Sequence, residues 1–132
     1  MISNGVSAAA AAFLLGAIFA AHPGLAAASD YRFELAGKPQ LSGQKDVVQI
    51  RLVQIATGKP VPDAVIFESA ADMGPAGMAN MPAPIKALPS KDGVYSFEVE
   101  PGMAGTWALH FAAKVQGEPQ TVRGTVNADL VK

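Results

Sequence analysis

The 132-residue chain contains no cysteine and only two histidines, and its formal net charge is -1. Without cysteine it can form no disulfide framework, thiolate metal site or cysteine nucleophile. A chain so close to neutral lacks the basic surface that nucleic-acid binding requires, so we expect no nucleic-acid partner. The length predicts a single domain.

Charge is also missing from the first 28 residues, which contain no Lys, Arg, Asp or Glu. Residues 8–21 are apolar or small, Pro23 and Gly24 follow, and small residues occupy 26–29. This order predicts a signal peptide over 1–28, cut after Ala28, and a mature domain over 29–132. The apolar run of 14 residues is shorter than the ~20 needed to span a bilayer. We therefore expect a periplasmic protein without stable membrane insertion after cleavage. Because residues 1–7 contain no basic residue, an uncleaved N-terminal anchor is the alternative.

Alternation of apolar and polar residues with period two predicts short strands through the rest of the chain. Turn residues separate the runs, as in 57–60, 91–93, 101–102 and 116–119. This pattern predicts an all-β fold, an immunoglobulin-like antiparallel β-sandwich of six or seven strands, without the cysteine pair of antibody domains. Trp107 is expected in its core. The predicted strands cover 31–35, 48–52, 64–67, 95–99, 107–113 and 122–126.

Residues 72–84 do not fit this pattern, because they contain three prolines and two glycines. Neither a strand nor a helix suits such a segment, so we expect a loop, and a loop of this length is often functional. It contains Met73, Met78 and Met81, while Met103 lies in the turn 101–105. One interpretation is that these flexible apolar side chains cover one end of the core.

The other interpretation is a soft-metal site. Thioether sulfur is a neutral, polarisable ligand that suits Cu(I) and Ag(I), and it has no proton to lose. Met73, Met78 and Met81 supply the three ligands that Cu(I) accepts, Gly77 allows the turn that would bring them together, and Met103 is a possible fourth ligand. Because transfer of a metal needs access, we expect this segment to be partly exposed. Asp72 is expected to end the preceding strand as a turn residue, with stabilisation of a cation as the alternative.

This chain has few side chains that could act as a nucleophile and its base, so we expect that it is not an enzyme. His110 is the only histidine after residue 28, and strand parity puts it on the face opposite Trp107, towards solvent; a copper ligand is the alternative. Ser90 or Ser96 could act as a nucleophile with His110, but nothing in the sequence brings them together.

Several motifs, in this order, resemble one family. The alanine-rich leader is followed by Gly-Lys-Pro-Val at 58–61, the methionine segment, Asp-Gly-Val-Tyr-Ser-Phe at 92–97 and Gly-Thr-Trp-Ala-Leu at 105–109. This chain resembles the YtkA-like/FixH-like small periplasmic proteins over most of residues 31–127.

The resemblance implies an immunoglobulin-like β-sandwich associated with copper or heavy-metal handling, often beside efflux systems of the resistance-nodulation-division type. Many relatives mix Met with His in the corresponding segment. The absence of histidine from residues 72–84 of this chain favours a thioether Cu(I) or Ag(I) site over a Cu(II) site. The expected function is a metal-binding protein that buffers metal or passes it to an efflux-system or metalloenzyme-assembly partner. The alternative is a metal-free interaction module of a transport or assembly complex.

Overall fold

A computed structural model describes residues 30–132, so the predicted signal peptide lies outside the described residues. This part of the chain forms ten strands and one short 3-10 turn at Gly74–Ala76. The strands are β1 Tyr31–Leu35, β2 Gln40–Ser42, β3 Lys45–Gln54, β4 Lys59–Pro60, β5 Val65–Met73, β6 Met78–Ala83, β7 Ile85–Ala87, β8 Tyr95–Val99, β9 Gly105–Lys114 and β10 Val122–Leu130. Within residues 30–132, no helix is both long and apolar enough to cross a membrane.

The strands form two antiparallel sheets. The first has the order β1-β3-β8-β7, with the short strands β2 and β4 also paired to β3. The second has the order β10-β9-β5-β6. The all-β fold and the antiparallel β-sandwich predicted from the sequence are therefore confirmed. Residues 30–132 form ten strands rather than six or seven, because the short strands β2, β4 and β7 and the edge strand β6 carry no clear alternating pattern.

The core lies between the two sheets and is built from the inward residues of the alternating strands. In β8, Tyr95, Phe97 and Val99 are buried, whereas the residues between them are partly exposed. Trp107 is fully buried, as predicted, and its indole Nε1 donates a hydrogen bond to the Met103 carbonyl at 3.1 Å. Period-two patterning identified this core because one face of each strand is removed from water.

On one side of the sandwich, β1 of the first sheet packs against Gly124 in β10 of the second sheet. A Cβ built on Gly124 in β10 would lie 2.6 Å from Cδ2 of Phe33 in β1. Phe33 also packs against Phe111, with ring centroids 5.4 Å apart. Gly124 therefore permits a contact between the sheets that a larger residue would block.

The prediction that residues 72–84 form a loop is wrong. β5 continues to Met73, the 3-10 turn follows, and β6 pairs back onto β5 with Asp72 opposite Pro82 and Met73 opposite Met78. The reversal needs Gly77, whose φ of 81° is left-handed and whose N–H donates to the Gly74 carbonyl at 2.8 Å.

Pro82 is tolerated in a strand because β6 is the outermost strand of its sheet. Proline has no N–H, so a central position would lose a hydrogen bond to one of two neighbours. An edge strand has a neighbour on one side only, so a missing donor is tolerated there. Composition alone therefore misassigned a segment whose place in the sheet makes proline acceptable.

Candidate functional site

The methionines at 73, 78, 81 and 103 all lie at one end of the sandwich, which we term the methionine end. Met73 ends β5 and is paired with Met78 at the start of β6. Met81 immediately precedes Pro82, which lies opposite Asp72. Met103 is two residues before Gly105, and a Cβ built on Gly105 would lie 2.7 Å from Cε of Met73. Strand pairing thus brings Met103 to the same end as the three methionines of residues 73–81.

Their accessibility differs. Met73 is 2% exposed and belongs to the core, whereas Met81 and Met103 are 37% and 41% exposed. Met78 is half-buried and packs against the core from its edge. The expected partial exposure therefore holds for the other three, while Met73 fills the space above Gly105. The core-covering interpretation describes Met73, and the accessible thioethers belong to Met78, Met81 and Met103.

A buried carboxyl group lies at the same end. Asp46, near the start of β3, is 1% exposed, and among residues 30–132 it is the one charged residue that is buried. Its carboxyl group accepts a hydrogen bond from the Val131 backbone N–H, and its Oδ2 is buried without a partner within this part of the chain. Burial raises the pKa of Asp46 above its ordinary value, and the Val131 N–H offsets part of this rise. Nothing in the sequence Lys45-Asp46-Val47 distinguishes this carboxyl from a surface one.

The outer face of the second sheet carries a row of hydrogen bonds across three strands. His110 Nε2 lies 2.7 Å from Asp72 Oδ2, and His110 Nδ1 lies 3.0 Å from Thr125 Oγ1. Because an ionised carboxylate only accepts hydrogen bonds, Nε2–H donates to Asp72. The second hydrogen bond joins Nδ1 to the Thr125 hydroxyl. His110 is half-exposed on this face, as parity predicted.

Asp72 is held in place from two sides. Its Oδ1 accepts the Gly74 N–H at 2.7 Å, which is the turn role expected from the sequence. That hydrogen bond is the main reason why the pKa of Asp72 is lowered; partial burial acts in the opposite direction, and His110 adds to the lowering. No sequence pattern indicated the hydrogen bond to His110, which joins residues 38 positions apart.

The serine arrangements considered for catalysis are not formed. Ser96 lies in β8, in the first sheet, and is paired with Gln49, whereas His110 lies in the second sheet. The hydroxyl beside His110 is that of Thr125, which sequence reasoning missed. The depression next to His110 is small, about 110 Å³, and is lined by Glu68, Ser69, Ala70, His110, Phe111 and Arg123.

Other metal chemistry has little support among the described residues. Residues 30–132 contain no group of three or more His, Asp or Glu side chains arranged to hold a metal ion. A groove of about 500 Å³ runs between the β1–β2 connection and the strands β9 and β10. No methionine lines it; its walls are Leu35, Gly37, Lys38, Pro39, Thr106, Asn127 and Asp129.

The chain is thus a small all-β protein with four methionine side chains at one end of a sandwich. The chain belongs to the YtkA-like family, whose sequence profile matches residues 25–112. No curated protein matches the chain significantly. A crystal structure of a DUF4426 family protein from Pseudomonas aeruginosa PAO1 is similar with a TM-score of 0.41 and 16% identity, covering 72% of this chain and 97% of that one.

Proposed function

We propose that this protein binds a soft univalent metal ion, Cu(I) or Ag(I), at the methionine end. The observation that supports the proposal is that Met103, from a distant part of the chain, lies at the same end of the sandwich as the three methionines of residues 73–81, and that three of the four side chains are accessible. Thioether ligands suit these ions and have no proton to lose. A cysteine-free chain offers no stronger sulfur ligand in competition.

The ligands we assign first are Met78, Met81 and Met103. Met73 is enclosed, with its methyl group against Gly105, so it could bind only if its side chain left the core. We therefore assign Met73 the role of a support beneath Met78, or of a further ligand reached by local opening of the β5–β6 turn. Thioether-only coordination and an accessible site are suited to buffering and transfer rather than to permanent storage.

The cellular role we propose is metal buffering or transfer in the periplasm, to an efflux-system or metalloenzyme-assembly protein. Its support is the predicted signal peptide and the accessibility of the site, because transfer requires a ligand set that a partner can reach. No catalytic role is proposed: the hydroxyl beside His110 belongs to a β-branched Thr125 on an open sheet face, next to a depression of only about 110 Å³.

A titration tests metal binding directly. The purified protein is titrated with Cu(I) against a competing chelator, beside a triple variant Met78→Leu, Met81→Leu and Met103→Leu. Leucine keeps the apolar volume and removes only the sulfur, so the fold should be retained. We expect the affinity to fall at least ~10-fold if ligands are lost, about 1.4 kcal/mol. Undiminished Cu(I) affinity in the folded triple variant would overturn the proposal.

A second function, a metal-free interaction module, is favoured by the exposure of Met81 and Met103. Exposed methionines form adaptable apolar contact surfaces. The same triple variant separates the two functions, because leucine preserves an apolar docking surface but not a thioether site. Partner capture that survives the leucine changes and ignores copper would favour the interaction module.

A further inference from the structure

The buried carboxyl group of Asp46 is connected to the methionine end by a short series of contacts. It accepts the N–H of Val131, and Val131 follows Leu130, which is paired with Gly105. Gly105 in turn lies against the methyl group of Met73. The turn that carries Met103 leads directly into Gly105. The carboxyl and the thioethers therefore belong to one end of one core.

No charge compensates this carboxyl group within residues 30–132. The nearest charged side chains along β3 and β8, Lys45 and Glu98, pair with each other at 3.4 Å on the outside of the first sheet. β2, which lies opposite Asp46 on the other side, contributes Leu41 at that register. The tail contributes the Val131 backbone N–H and is followed by Lys132, which is exposed. A carboxylate here is thus buried with one hydrogen bond and no cation.

At a site made of thioether ligands, by contrast, the uncompensated charge is positive. Neutral sulfur ligands do not cancel the charge of a bound univalent cation, so the complex keeps its positive charge close to the core. A nearby buried anion would stabilise that charge, because interactions between charges are strong where water is excluded. A buried carboxylate without a cation and a cation site without an anion are complementary.

We propose that Asp46 is the buried counter-anion of the methionine end, so that protonation of Asp46 weakens the binding of a univalent soft cation. This inference depends on the proposed function. At a pH where Asp46 is protonated, its O–H bond breaks when the cation binds, the proton passes to solvent, and the carboxylate remains. The site then holds one positive and one negative charge. Asp46 acts through charge and not as a ligand.

The consequence is a pH-dependent affinity in a site whose own ligands do not titrate. Acid keeps Asp46 protonated and removes the counter-charge, so the metal is held less tightly and released. Thioether coordination alone would give an affinity that does not change with pH. The dependence on pH therefore reports the carboxyl group and not the sulfur atoms.

The test is an Ag(I) titration of the purified protein against a competing chelator from about pH 4.5 to pH 8. We expect the affinity of the unaltered protein to fall about 10-fold towards acid, and Asp46→Asn to bind about 10-fold more weakly at neutral pH with a flat pH profile. The matched control is Asp63→Asn, an exposed carboxyl before β5 at the opposite end, which removes the same charge. His110→Gln is the second control, because imidazole also binds silver.

Calorimetry in the acid part of this pH range, in buffers of different ionisation enthalpy, supplies a measurement that needs no variant. Release of protons on Ag(I) binding by the unaltered protein supports the inference. Binding without proton release, with Asp46→Asn and Asp63→Asn indistinguishable, overturns it and leaves the soft-metal function standing. Absence of Ag(I) and Cu(I) binding in the unaltered protein overturns the proposed function itself.

Discussion

At the scale of single residues, Tyr95 shows how a core side chain organises a loop. Its hydroxyl donates to the Val61 carbonyl at 2.6 Å and accepts the Ala64 N–H at 3.0 Å. Tyr95 itself is buried, so the two backbone groups have no easy access to water. One side chain thus fixes the connection between β4 and β5.

The change Tyr95→Phe is expected to destabilise the protein by about 1–3 kcal/mol, because it leaves a buried donor and acceptor without partners. Chemical denaturation measures this difference. Tyr31→Phe, a half-buried residue at the surface, is the control and should change the free energy of unfolding by less than about 0.5 kcal/mol. Equal effects of the two changes would contradict this role of Tyr95.

Two carboxyl groups should respond to pH with opposite consequences for stability. The folded pKa of Asp46 is raised, so its stabilising contribution is present in acid and is lost as the pH rises through that value. The folded pKa of Asp72 is lowered, so its contribution is present at neutral pH and is lost as the pH falls through that value.

Thermal melting across the acid range checks these signs. Asp46→Asn should raise the melting temperature at neutral pH, since the buried charge is removed, and the gain should vanish in acid. Asp72→Asn should lower the melting temperature at neutral pH, and that loss should also vanish in acid. The prediction is contradicted if both variants shift stability in the same direction at neutral pH.

At the scale of elements, the joint between β1 and β10 depends on the missing side chain of Gly124. Gly124→Ala would place a methyl group 2.6 Å from the Phe33 ring, so β1 or the ring must move. We expect a loss of about 1–3 kcal/mol, the usual cost of overpacking. Gly102→Ala is the matched control, because no atom lies within 4 Å of its built Cβ, and it should be near neutral. A tolerated Gly124→Ala would show that β1 is loosely attached.

Among these elements, strands that have one buried face were predictable from the sequence, whereas the edge strand was not. Strands such as Tyr95–Val99 were predicted to the residue because one face meets the core and the other meets water. Residues 72–84 were misassigned because the acceptability of Pro82 depends on whether a strand is at the edge of a sheet. That property belongs to the sheet and not to the segment.

The site was predictable in the same uneven way. The thioethers of residues 73–81 are close in sequence, so their shared position could be expected. The burial of Met73, by contrast, follows from the approach of Gly105 from another strand. Asp46 and Thr125 gave no local signal, because what distinguishes them is a neighbour on a distant strand or a lack of water. Long-range pairing creates these environments, and a linear pattern does not contain it.

At the scale of the whole molecule, an antiparallel sandwich that does not close into a barrel keeps exposed sheet edges, and each edge is a template for another chain. β6 forms one edge of the second sheet, where Pro82 removes a backbone donor. At β6, the methionine end is therefore exposed without offering a complete strand edge to further copies of the protein.

The change Pro82→Thr restores that donor and adds a residue with high strand propensity. We expect this variant to assemble into thioflavin-binding aggregates faster than the unaltered protein at equal concentration, with little change in melting temperature. Pro84→Thr, just beyond the end of β6, is the control. If both variants stay monomeric, the edge is protected by other means. If Pro82 protects this edge, a single residue without a backbone N–H allows the protein to expose methionine side chains without polymerising.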